Sequence, residues 1–150
     1  MGLLSRLFSD RRPPPDPIED PVLGRVAPPR HGGIWWTAAV LHEGRRIELW
    51  IGGTAQPHPA LLASARDLAQ RIDAFVHEVQ AFLDAKAQSF SDYPPELAAE
   101  VRALKIDSVS LLSPARPLDG MVGFHETESG AVLWRCDLKD GHPIALGGDT

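Results

Sequence analysis

The alternation of apolar and polar residues is sharpest near the C-terminal end of the chain. Met121 to Leu146 holds three runs of period two, broken at Glu128-Ser129-Gly130 and at Lys139-Asp140-Gly141. Such alternation marks half-buried strands, whose successive side chains point to opposite faces. Each break ends in Gly, which suits a three-residue loop: a type I turn followed by a left-handed residue. That loop puts Thr127 opposite Ala131, Phe124 opposite Trp134 and Val122 opposite Cys136. In the next hairpin it puts Leu138 opposite His142, Cys136 opposite Ile144 and Trp134 opposite Leu146. One face then collects Val122, Phe124, Val132, Trp134, Cys136, Leu138, Ile144 and Leu146. The other carries His125, Thr127, Arg135, Asp137 and the apolar Leu133. A one-residue slip would divide the apolar set between both faces, so this register is preferred. Pro143 cannot donate to a ladder, which marks the last strand as an edge. Gly147-Gly148-Asp149 beyond it reads as a flexible end.

Further upstream, Asp20 to Val26 reads as one short strand. Ile34 to Leu41 and Arg45 to Ile51 form a hairpin around His42-Glu43-Gly44. Its register stays open. A three-residue loop pairs Trp36 with Trp50, and a two-residue loop pairs Trp36 with Ile51 and Val40 with Ile47. Either way Ile47, Leu49 and Ile51 share the core face and Trp50 lies on the other, covered by a loop or open to a partner. From Pro57 to about Gln88 the period changes to that of a helix. Leu61, Leu68, Phe75 and Phe82 recur every seven residues, with Ala65, Ile72 and Val79 between them. Ser91 or Asp92 caps a second helix with Pro94 and Pro95 in its first turn, running to about Leu104. Ile106 to Leu112 alternates again. The order is β-β-β-α-α-β-β-β-β. Strands grouped on both sides of paired helices predict an α+β fold, with a mainly antiparallel sheet of about six or seven strands on one long and one shorter helix.

Composition narrows the picture. A chain of 150 residues suits one domain plus a tail. Residues 1–18 read as a flexible tail and 19–149 as the single domain. The tail opens with Leu3, Leu4, Leu7 and Phe8 at helical spacing, followed by the Pro-rich linker Arg11-Arg12-Pro13-Pro14-Pro15-Asp16-Pro17. The stripe is too short for a signal-peptide core, and Arg6 breaks the myristoylation pattern. A formal charge of −5 argues against a nucleic-acid partner, since phosphate binding needs a basic stripe. One cysteine excludes an internal disulfide and a thiolate zinc cluster and fits a cytoplasmic setting.

Catalytic patterns are sparse. His77-Glu78 begins like a zincin helix, but no second His follows at the required spacing. No nucleophile elbow or phosphate loop is present. His125, Cys136 and His142 cluster in sequence, yet the strand register sends His125 and Cys136 to opposite faces, so no metal is expected there. Neither catalytic residues nor a cofactor are assigned. The residues singled out for interaction are Trp50 and the outer strip of His125, Arg135 and Asp137.

Asp20-Pro21-Val22-Leu23-Gly24, the Ile34-Trp35-Trp36 strand, the long helix and the ending Gly123-Phe124-His125…Gly130-Ala131-Val132…Asp140-Gly141…Leu146-Gly147-Gly148-Asp149 together resemble the bacterial domain-of-unknown-function family 2262 and its relatives. The resemblance implies a bacterial accessory domain and carries no catalytic residues with it. The sequence reading is therefore a non-catalytic protein-binding module, an immunity-type module being one form. Two alternatives stand beside it: a small-ligand or enzymatic domain using the outer face of the C-terminal meander, and a membrane-tethered adaptor acting through residues 1–8.

Overall fold

The computed structural model describes residues 13–30 and 32–150. The amphipathic segment 1–8 and the two arginines of the linker lie outside them. The fold is α+β. Strands β1 (Ile18–Asp20) and β2 (Gly24–Val26) form a two-stranded ribbon. Strands β3 (Trp35–His42), β4 (Arg45–Gly52), β5 (Ile106–Leu111), β6 (Gly120–Phe124), β7 (Leu133–Lys139) and β8 (His142–Asp149) form one six-stranded sheet in sequential order. Every pairing in it is antiparallel except β4 with β5. A parallel pair needs a crossover. Here α1 (Pro59–Gln70), α2 (Ile72–Gln88) and α3 (Pro95–Arg102) supply it.

Expected and observed elements differ in instructive places. The single early strand is a tight ribbon, because the Asp20 carboxylate turns the chain. Its Oδ1 accepts from the Val22 and Leu23 amides, both at 2.9 Å. Ala27 then bridges to Thr37 and covers part of the β3 edge. The long helix bends at Arg71, whose φ of −115° leaves the helical range. A straight rod of that length would diverge from a twisted sheet. Leu61, Ala65, Leu68, Ile72, Phe75, Val79, Leu83 and Ala87 form the buried stripe. Phe82, the fourth member of the heptad series, is only half-buried. A 3.6-residue turn drifts by about 20° per heptad, which brings Leu83 inward in its place. The next helix starts at Pro95, with Pro94 at its cap and no side-chain cap bond, so neither Ser91 nor Asp92 serves.

The Trp36/Trp50 hairpin takes the two-residue loop, with Trp36 opposite Ile51 and Val40 opposite Ile47. Glu43 and Gly44 both have positive φ, 49° and 75°, as a type I′ turn requires. Asp140 and Gly141 repeat this at 53° and 83°. The β7–β8 loop therefore has two residues instead of the expected three. A bulge next to Asp137 then shifts the ladder, and Cys136 faces Leu146, not Ile144, while Trp134 faces Gly148. Ile144 is the extra residue of that bulge and is 52% exposed, so it leaves the expected core set. The β6–β7 register has Val122 opposite Cys136, as expected, but β6 ends at Phe124 and β7 begins at Leu133, so Thr127 and Ala131 lie in a longer loop and not in a three-residue hairpin. The closing glycines belong to β8. A Cβ on Gly148 would lie 2.5 Å from Val132 Cγ1 and 3.3 Å from the Trp134 ring, so only glycine lets β8 pass there.

The core lies between the helices and one face of the sheet. Trp36, Leu49 and Ile51 from β3 and β4 meet Leu61, Phe75 and Val79 from the helices. Val109, Val122 and Cys136 continue it across β5, β6 and β7. Two histidines tie α2 to the sheet margins. His42 Nδ1 lies 2.7 Å from Asp73 Oδ1, and His142 Nδ1 lies 2.6 Å from Glu78 Oε1. Among the described residues, no helix is long and apolar enough to cross a membrane.

Candidate functional site

Period two along six adjacent strands leaves one whole sheet face directed away from the helices. Two rows of side chains run across it. The first is Ala39, Glu48, Ser108, Gly123, Arg135 and Gly147; the second is Thr37, Trp50, Ser110, Met121, Asp137 and Ala145. No helix among the described residues packs on this side. Small residues dominate both rows, so the surface is shallow except at Trp50 and Met121. Leu41, Met121 and Leu133, three of the large apolar residues with substantial exposure, also point this way. A single such residue is ordinary on a surface, whereas several on one uncovered sheet face mark a place for contact.

The residues singled out in the sequence are distributed over this face as follows. Trp50 is half-buried and meets Trp35 edge to face, with ring centroids 6.0 Å apart. Its indole Nε1 donates to Glu48 Oε2 at 3.1 Å, which fixes the ring against the sheet. Arg135 and Asp137 project from β7. Arg135 stands between Gly123 and Gly147 in its row and donates to Asp149 Oδ2. His125 lies just past the end of β6, at the margin. Its amide donates to the Lys105 carbonyl at 2.9 Å, and its ring Nδ1 lies 3.4 Å from Asp107 Oδ1. The strip of His125, Arg135 and Asp137 shares a side of the sheet without converging on a point. Arg135 takes Asp149 as its partner and His125 takes Asp107.

An open groove of about 440 Å³ lies elsewhere, where β4 and β5 end. Ile34, Leu61, Leu112 and Pro114 give it mainly apolar walls. The imidazole at its mouth is engaged, since His58 Nδ1 accepts from the Ala60 amide at 3.2 Å and caps α1. Cys136 is fully buried beneath the opposite face, and burial pushes its thiol up to about 11. Such a thiol stays protonated and is a poor nucleophile. His77 is exposed on α2, and its neighbour Glu78 is spent on His142. Among the described residues, no three His, Cys, Asp or Glu side chains are placed to hold a metal ion.

Two carboxylates that the sequence reading passed over organise the molecule around this face. Asp20 Oδ2 accepts from Arg66 Nε at 2.8 Å and from Nη2 at 2.6 Å, which joins the early ribbon to α1. The Arg66 guanidinium holds the Asp20 carboxyl down at about 2. Glu100 on α3 accepts from Trp134 Nε1 at 2.9 Å, from Thr127 Oγ1 at 3.0 Å and from Ser129 Oγ at 3.3 Å. One side chain thus clamps the loop between β6 and β7. The Asp-Pro-x-x-Gly spacing contains a turn signal for Asp20. Nothing local signals Glu100, because its partners are 27 to 34 residues away.

Comparison with protein-family models, with curated proteins and with solved structures finds no match for the chain.

Proposed function

We propose that this chain is a non-catalytic protein-binding module that engages its partner through the uncovered face of its six-stranded sheet. The observation that carries the reading is the composition of that face: two rows rich in small residues across all six strands, with a Trp pair at one side and three exposed large apolar residues, Leu41, Met121 and Leu133, on it. A flat surface of this kind offers little to grip a small molecule and much to a second flat protein surface. The charged groups support the same reading. Arg135 pairs with Asp149, and Arg46 with Glu48 at 3.6 Å, so these strand charges are balanced within the face.

A photo-crosslinking residue at Ser110, in the middle of the face, tests the proposal against one at the exposed Gln70 on α1. In the source cells, position 110 is expected to give a discrete protein adduct and position 70 none. Absence of an adduct at 110, or the same adducts from both positions, would count against the sheet face as the binding surface.

A further inference from the structure

The uncovered face has a pattern that selects its occupant. Each row has six members, one per strand, so its midline falls between β5 and β6. Turn a second copy over about a two-fold axis that runs along this midline in the plane of contact. Every row then meets itself reversed. In the first row Glu48 faces Arg135 of the second copy, Ser108 faces Gly123, and Ala39 faces Gly147. In the second row Ser110 faces Met121, Thr37 faces Ala145, and Trp50 faces Asp137 beside the aliphatic stem of Arg135.

Glu48 and Arg135 match under this operation, and the bulky residues meet smaller ones. The acid of the first row meets the base of the first row, twice in the pair of copies. Met121, the bulkiest residue near the midline, meets a serine. Neither Trp50 nor Met121 meets its own image. A two-fold contact must be self-complementary in this sense. Resting on the sheet-face reading above, we infer that the partner of this face is a second copy of the chain, held by reciprocal Glu48–Arg135 contacts around the Ser110–Met121 centre.

Size and net charge agree. Strands spaced about 4.8 Å apart, with a rise of about 3.3 Å per residue, give a face of about 550 Å². Two copies bury about 1,100 Å² in total, above the rough 1,000 Å² that a specific interface needs. The chain as a whole carries −5, and two copies repel over most of their surface. On this face the strand residues Arg46, Arg135 and Lys139 balance Glu48, Asp137 and Asp149. The pair Asp107–His125 at the margin adds a single acid. The face is thus within one formal charge of neutral. A basic or an acidic foreign partner would find no charge of its own complement here, whereas a second copy does.

Charge exchange tests this with the full chain. Light scattering after gel filtration, at concentrations up to about 100 µM, is expected to give a dimer whose dissociation constant lies in the micromolar range. Glu48→Arg and Arg135→Glu, each alone, should shift that constant upward by about tenfold or more. Mixing the two variants should restore a dimer made of one of each, because both reciprocal contacts become attractive again. Unchanged far-ultraviolet circular dichroism accompanies each variant; should one misfold, Met121→Lys and Ser110→Arg each break the same contact at the midline. A wild-type monomer throughout, single variants that dimerise like wild type, or a mixture that stays monomeric would each overturn the inference. A monomer whose Ser110 position still cross-links a foreign protein would overturn the second copy and leave the sheet-face reading standing.

Discussion

At the scale of single residues, the decisive groups are carboxylates with several donors. Asp20 is almost fully buried and takes four hydrogen bonds, two from amides of its own turn and two from Arg66. Its proton affinity is depressed from 3.8 to about 2, first by the Arg66 hydrogen bonds and also by the amides of Leu23 and Val22. A depressed acid stabilises the fold fully above its unfolded value and loses that contribution as the pH falls through the folded one. Stability measured by urea melts should therefore fall between about pH 4 and pH 2. Asp20→Asn should flatten that dependence and lower stability at neutral pH by about 1–2 kcal/mol, since the carboxylate's hydrogen bonds weaken while the partly solvated Arg66 side chain turns to water. A variant that kept the acid-side slope would show that another group is responsible. In the sequence Asp20 reads as the start of a strand, although its Asp-Pro-x-x-Gly spacing carries a turn signal. Its Arg66 partner carries no such signal, because 46 residues separate them.

At the scale of elements, loop length and packing decided more than strand identity did. The period of two located the strands of the sheet. It did not settle the turns: Glu43-Gly44 stayed open between two and three residues, and Lys139-Asp140-Gly141 read as a three-residue loop. Their pairs of positive φ angles choose the two-residue turn, and a bulge corrects the β7–β8 register afterwards. Trp134 needed an inward position, and the Gly at position 148 allows β8 to lie against its ring. The loop before β7 is held by Glu100. Glu100→Ala should cost about 1–3 kcal/mol, because the Trp134 indole and two hydroxyls lose their acceptor. Amide hydrogen exchange in 127–132 should accelerate well beyond the rest of the sheet. Uniform acceleration across all strands would mean that Glu100 supports the whole core and not this loop.

At the scale of the molecule, the consequence of α1, α2 and α3 sharing one side is an asymmetric sheet. Val109 and Ser110 are neighbours on β5 and point opposite ways, one fully buried under the helices and one on the uncovered face. Val109→Ala should cost about 1–3 kcal/mol in denaturant melts, through lost burial and the cavity left behind. Ser110→Arg should change the stability of the isolated fold by less than about 0.5 kcal/mol. The melts should be run at a concentration low enough to keep copies apart. Comparable losses at both positions would mean that the second face is also internal. This asymmetry gives the outer Trp50, Arg135 and Asp137 their place in the proposed contact, and it leaves His125 at the margin.

The sequence by itself determined the α+β class and the core-facing side of β4, β6 and β7. These follow from local periodicity, where each residue's burial is reflected in its own chemistry and that of its near neighbours. Only the tertiary structure decided the parallel β4–β5 pairing, the bend at Arg71, the turn lengths and the partners of Asp20 and Glu100. It also aligned Glu48 with Arg135 in one row across four strands, though 87 positions of sequence separate β4 from β7 at those residues. Such alignments depend on register summed over several ladders, and a one-residue change in any turn would move a side chain to the opposite face.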